Sequence, residues 1–309
     1  MPSLRSSNKQ KPSITLSFEA IGTVWRINYI GEESHANNIA SLISARIVIF
    51  DKNYSRFRTD SLITQFSRQQ RPMTPIFTTM PADFDVMIRF YRQLYDVSDG
   101  LVTPLIGTAL DDAGYDTAYS FQPRTIRATP AWDNAMTYHR GSLTIKQPIL
   151  LDFGAAGKGY LVDILADLLT QQSITTFTID AGGDIRHQSA TPNYIGLEDP
   201  SDVTKVIGLA ELKNASICGS AGNRRAWKGY NHILNPDTKL SPVNISAVWV
   251  IAETTMIADG LATALSFVEP CRLADFRFEY LLIRSDGSRQ SSPNFPVRFF
   301  DTPMVYELK

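Results

Sequence analysis

Cysteine is nearly absent from this chain. Its two, Cys218 and Cys271, are too few for a disulfide scaffold and are not spaced as metal ligands, so both read as small buried hydrophobes. An excess of one charge sign is also missing. With 30 basic and 31 acidic side chains the net charge is -1, which leaves no electrostatic footprint for nucleic acid or an anionic membrane. No run approaches the ~18 apolar residues of a membrane span. The first twenty residues carry positive charge but lack the apolar core of roughly 7–15 residues that a signal peptide needs, so the expectation is a cytoplasmic protein unless a leader has been trimmed. With 18 Gly and 17 Pro in 309 residues, and 43% hydrophobic content, the chain is neither collagen-like nor disordered.

What is present is a large core with mixed periodicities. A polar tail (1–12) is expected to be disordered, leaving 13–309 as one large domain. ITLSFEAIGTVWRINYI reads as strand interrupted at Gly22. Ile39, Leu42, Ile43, Ile47 and Phe50 recur at helical spacing, as do Phe84, Met87, Ile88, Tyr91 and Leu94 after Pro81. Short apolar runs at Ile149 to Asp152 and Phe177 to Asp180 read as strands flanking a helix with Leu161, Ile164, Leu165 and Leu168 on one face. VIGLAEL, ISAVWVIA and FEYLLIR read as further strands, with a helix from about Met256 to Val268. Helices and strands mix without a regular βαβ rhythm, which predicts an α+β fold.

Four segments carry chemistry. In LDFGAAGKGYLVDIL three glycines and two alanines fall within residues 154–160, between the expected strand end at Asp152 and the helix. Such a turn lets backbone N–H groups approach a phosphate, with Lys158 adding charge, or it simply packs a helix tightly on a strand. The spacing matches neither a Walker loop nor the dinucleotide fingerprint. In TIDAGGDIRH the paired glycines form either a turn or a close approach to a ligand. GSAGNRRAWKGYNHILNPDTKLSP holds His232, one of four histidines, together with Arg224 and Arg225, which suit a phosphate or a solvated edge. In IADGLATALSFV, Asp259 and Thr263 stand at i and i+4 on one helix side among small residues. A carboxylate, a hydroxyl and a nearby carbonyl form a hard-oxygen set suited to Mg²⁺, or else a helix-end acid beside a packed threonine.

In this order the motifs resemble those of the ApbE family, flavin transferases that move FMN from FAD to a Ser or Thr of a target protein. They are A-I-G-T at Ala20 to Thr23, S-R-F-R-T-D-S at Ser55 to Ser61, D-F-G-A-A-G-K-G-Y-L-V-D, D-A-G-G-D, H-I-L-N-P-D-T, and A-D-G-L-A-T at Ala258 to Thr263. The resemblance implies an ApbE-like α+β domain in which Mg²⁺ is held by Asp259, Thr263 and the backbone carbonyl of Gly157. It implies that FAD is bordered by Ile21, Phe57, Leu101, Val102, Thr103 and Leu234, with Gly154, Lys158 and Tyr160 on the glycine turn. His232 matches the family's general base. The implied partner is an acceptor flavoprotein with a D-G-x-[ST]-G-A-[ST]-like motif. Ile21 stands where the family has methionine, Phe57 where it has tyrosine, Thr103 and Asn235 where it has aspartate, Ala221 within its T-S-G turn, and Lys239 where it has glycine. A metal-dependent FAD pyrophosphatase and a non-catalytic FAD-binding protein are the alternative readings.

Overall fold

Strict alternation of burial builds the largest sheet. The computed structural model describes residues 11–67, 76–223 and 225–305. In it, eight strands lie side by side in chain order. They are β1 (Ser13–Ala20), β2 (Thr23–Ile30), β3 (Phe177–Ala181), β4 (Asp184–Gln188), β5 (Ala215–Ser220), β6 (Ile245–Ala252), β7 (Phe278–Arg284) and β8 (Arg289–Ser291). Every neighbouring pair is antiparallel. β2 shows why: Trp25, Ile27 and Tyr29 point inward while Val24, Arg26 and Ile30 face out, the period of a strand with one buried face.

Helices cover that face. α1 (Ala36–Tyr54), α2 (Phe84–Val97) and α3 (Gly157–Gln171) are inserted between β2 and β3, and α4 (Thr255–Ala264) between β6 and β7. The stripe expected on α2 is the most deeply buried: Phe84, Met87, Ile88, Tyr91 and Leu94 all lie in the main core. A three-stranded sheet of Asn193–Asp199, Asp202–Leu212 and Val297–Val305 extends the molecule, and another joins Ile76–Thr79, Met136–His139 and Ser142–Ile145. The antiparallel order, with helices inserted rather than alternating, is the expected α+β arrangement.

Several expectations change. Residues 149–152 form no strand. Ile149 and Leu151 are buried, but the recorded backbone tie there is Asp152 N–H to the Pro104 carbonyl at 2.7 Å, so an apolar extended run packs without a sheet partner. The helix after it begins at Gly157, so only Gly154 of the three glycines lies in the turn. α4 ends at Ala264, four residues before the expected Val268, and Cys271 is exposed while Cys218 is buried. Of the expected tail 1–12, residues 1–10 lie outside the described residues, as does Arg224, while the Pro12 carbonyl accepts the Gly31 N–H at 3.1 Å. Among the described residues no helix is long and apolar enough to cross a membrane.

The α3–α4 crossing positions the site. A Cβ on Gly159 would meet the Thr255 carbonyl oxygen at 2.4 Å and Asp259 Cβ at 2.8 Å. Only glycine allows the two backbones this close. Asp163 of α3 then accepts the N–H groups of Thr255 and Met256, both at 2.8 Å, and Thr254 caps Ile257, so the first turn of α4 has its donors satisfied. Because the obstacle is backbone, Gly159→Ala is expected to cost ~1–3 kcal/mol, the usual cost of overpacking, seen as a lower denaturant midpoint at unchanged slope. An unchanged midpoint would show that the helices can separate freely.

Candidate active site

The glycine turn is anchored before it can serve a ligand. Phe153 is buried in a box of Tyr54, Phe84 and Tyr91 at ring separations of 6.0, 6.0 and 5.3 Å. The Ala156 N–H donates to the Tyr91 hydroxyl at 3.0 Å, and the Gly154 N–H to Asp152 Oδ1 at 2.7 Å. The other oxygen of Asp152 is paired with Arg56, whose Nη1 donates to the Tyr115 carbonyl at 2.7 Å. Gly154 itself stays exposed at the tip.

Behind the turn the two expected metal residues meet it. Asp259 Oδ2 accepts the Gly159 N–H at 3.0 Å, and the Thr263 hydroxyl donates to a turn carbonyl at 3.4 Å. That carbonyl belongs to Ala155, two residues before the expected Gly157, which is buried at the start of α3. Asp259 and Thr263 of α4 thus meet the start of α3 and the turn before it, respectively. Among the described residues no cluster of three or more His, Cys, Asp or Glu side chains could hold a metal, so a cation here would depend on the hydroxyl and carbonyl oxygens.

Charge makes that set receptive. Burial, then the nearby Asp184, raises the Asp259 pKa well above the usual carboxylate range, against the pull of Lys158 and the Gly159 N–H. Lys158 does not face the turn as a free phosphate ligand. Its ammonium is paired with the buried Asp184 and donates to the Ala181 carbonyl at 2.9 Å. Burial works against its charge, but Asp184 and Asp259 outweigh it and hold its pKa above normal. Asp259 is thus a buried carboxyl whose ionised form Lys158, already paired with Asp184, does not sufficiently offset, and a cation displacing its proton would meet a hard-oxygen set of carboxylate, hydroxyl and carbonyl that fits Mg²⁺. Asp184 sits there because Gly182 and Gly183, both at positive φ, close a two-residue hairpin between β3 and β4. The turn reading of that segment holds, and its yield is an aspartate that the sequence reading gave no role.

The residues expected to border the flavin come from separate segments of the chain. Ile21 turns the β1–β2 hairpin at φ 49 beside Gly22. The Phe57 ring stacks on Tyr119 at 5.1 Å and 4°, meets Tyr115 edge-on at 5.3 Å, and lies 4.1 Å from the Arg56 guanidinium. Leu101 is half-buried, whereas Val102 and Thr103 are buried. The Thr103 hydroxyl accepts the Leu105 N–H at 3.2 Å and caps the short helical turn Pro104–Ile106. Leu234 is buried with Tyr115 and Trp227. Tyr160 spends its hydroxyl on the Asp83 carbonyl at 3.0 Å, and its pKa is pushed up to about 12 by burial and then by Asp83. Asn235 Oδ1 accepts the N–H groups of Asp237 and Thr238 at 2.9 Å each, a turn role that an amide fills as well as a carboxylate.

His232 is pushed down to about 4 by burial, then by the Arg225 charge, with Asp152 opposing. Its Nδ1 is buried and has no hydrogen-bond partner. A neutral imidazole with an uncommitted nitrogen is what a proton acceptor needs. Sequence reasoning gave no role to Asp163, Asp184, Arg56 or Tyr115. The first three stood inside the motifs, while nothing around Tyr115 set it apart.

The model of the ApbE family matches residues 21–277. A FAD:protein FMN transferase of Haemophilus influenzae is 25% identical over 92% of this chain and 90% of its own length. One of Vibrio cholerae is 26% identical over 85% and 83%. Among solved structures, the flavin transferase ApbE of Vibrio cholerae superposes with a TM-score of 0.77 at 23% identity, covering 92% of this chain and 98% of that one. The ApbE protein of Thermotoga maritima gives 0.76 at 20% identity over 91% and 97%. With the match running through the hairpin turn, the glycine turn, the His232 segment and α4, this chain belongs to the ApbE family.

Proposed function

We propose that this protein transfers FMN from FAD to a Ser or Thr hydroxyl of an acceptor flavoprotein and releases AMP. The observation that carries the reading is that Asp259 and Thr263 meet the start of α3 and the anchored turn before it, while His232, whose Nδ1 has no partner, lies within electrostatic reach of Asp152 and Lys158. A divalent cation held by Asp259, Thr263 and a turn carbonyl supplies positive charge to the substrate's phosphate oxygens when bound.

The chain's own groups do the rest. The exposed Gly154 end of the turn leaves room for a phosphate. Phe57, with Tyr115 and Tyr119, offers aromatic faces for the ring systems of the dinucleotide. The acceptor hydroxyl oxygen attacks the phosphorus on the FMN side, its proton passes to the His232 imidazole, and the bond from that phosphorus to the bridging oxygen breaks. AMP leaves with that oxygen, and a phosphoester joins flavin to protein. Because His232 stays neutral well below pH 7, it is a weak base that is always available, and the proton it takes is poorly held and readily passed on.

A pyrophosphatase would use water in place of the acceptor hydroxyl, and a binder would leave FAD intact. Incubation with FAD, Mg²⁺ and an acceptor of the D-G-x-[ST]-G-A-[ST] type separates the three. Covalent flavin with stoichiometric AMP is expected; AMP without covalent flavin, or FAD bound unchanged, contradicts the proposal.

Asp259→Ala is expected to abolish Mg²⁺-dependent transfer and the Mg²⁺-induced rise in melting temperature, and retention of either would remove the metal assignment. His232→Gln should slow transfer by ~10²–10⁴-fold. In the ligand-free protein, NMR titration should place the His232 midpoint near 4 rather than 6.5. Between those values the unfolded chain binds the proton that the folded chain refuses. Stability therefore falls as pH drops through the window, and His232→Gln should flatten that fall.

A further inference from the structure

Arg225 lies where segments far apart in the chain converge. Its Nη1 donates to the Tyr115 hydroxyl at 2.9 Å and its Nη2 to the Gly22 carbonyl at 3.4 Å. Tyr115 meets Phe57, and Gly22 follows Ile21 in the β1–β2 hairpin. The same guanidinium is close enough to His232 to depress its protonation. One cation thus touches or adjoins the hairpin turn, the aromatic face and the candidate base.

Its partners set it apart from the other cations nearby. Arg56 is matched by Asp152, Lys158 by Asp184 and Arg127 by Asp112. Among the described residues no carboxylate pairs with Arg225, and both of its acceptors are neutral. Immobilising an arginine side chain costs rotamer entropy. Two neutral tethers hold it in place without cancelling its charge. They use two of the five N–H donors of a guanidinium and leave the others for an incoming anion. Arg225 is exposed, so those donors are accessible.

We propose that Arg225 is a phosphate-binding residue of this site, donating to an oxygen of the FAD pyrophosphate beside His232. The inference rests on the flavin dinucleotide reading above and adds a residue and a role to it. It also couples binding to catalysis: an anion on Arg225 offsets the positive charge facing His232, so the imidazole becomes a better base only when substrate is present. The other charged groups facing His232 are Asp152 and Lys158, and each is already paired within the fold.

The test compares equilibrium binding of FAD and of riboflavin, which has no phosphate, to the full chain with Mg²⁺ and no acceptor. Arg225→Gln should weaken FAD binding by about ten- to a hundredfold, the range for a hydrogen bond to a charged group, and leave riboflavin binding unchanged. Arg225→Lys should restore part of the FAD affinity. Unchanged riboflavin affinity also shows that the variant folds. Undiminished FAD affinity in Arg225→Gln, or equal losses for FAD and riboflavin in both variants, would overturn the assignment. A wild-type chain that binds no FAD would instead overturn the flavin reading itself.

Discussion

The close approach of α3 and α4 at Gly159 is the constraint on which the rest of the site depends. A residue with no side chain lets the α3 backbone come near enough for its N–H to hold the Asp259 carboxylate at 3.0 Å. The same crossing brings Thr263 within reach of the Ala155 carbonyl and lets Asp163 tie off the first turn of α4. A carboxylate on one helix is thereby fixed against the first turn of another helix 100 residues earlier. The large antiparallel sheet supplies the floor. β3 and β4 deliver Asp184 to the underside of the crossing, and the buried aromatic box around Phe153 holds the turn from the other side.

Electrostatics follow from that geometry. Burial, then the neighbouring Asp184, makes ionisation of Asp259 costly, and the single ammonium of Lys158 does not offset it. Lys158 is best understood as part of the wall. It satisfies Asp184 and leaves Asp259 as the group that a cation would relieve. Burial, then the Arg225 charge, keeps His232 neutral. In the proposed reading a cation at Asp259 and the guanidinium of Arg225 would both meet the phosphates of the substrate.

Much of this was legible from the residues alone. The helical stripes of α1 and α2 were visible because apolar residues recur at fixed spacing, and the α+β class followed from their irregular order. The i, i+4 placement of Asp259 and Thr263 put a carboxylate and a hydroxyl on one side of α4, since helix geometry is local. The failures were non-local. Ile149 to Asp152 has the composition of a strand, yet nothing in it says that no neighbour will pair with it. Lys158 sits beside a phosphate-like turn, but its direction is set by Asp184, a partner 26 residues on. Thr103 and Asn235 looked like lost carboxylates. In the fold one caps a helical turn and the other closes an Asx turn, so the departures from the family pattern preserve local structure.

The proposed function requires that the α3–α4 crossing serve a cation-dependent transfer of a phosphorus-bonded FMN to a hydroxyl. Tandem mass spectrometry of an acceptor recovered after incubation with FAD tests it most directly, in Mg²⁺ and in EDTA. The account predicts one FMN attached through its phosphate to a Ser or Thr side chain in Mg²⁺, and an unmodified acceptor in EDTA. An acceptor that stays unmodified in Mg²⁺ while FMN and AMP accumulate, or flavin attached equally well in EDTA, would contradict it.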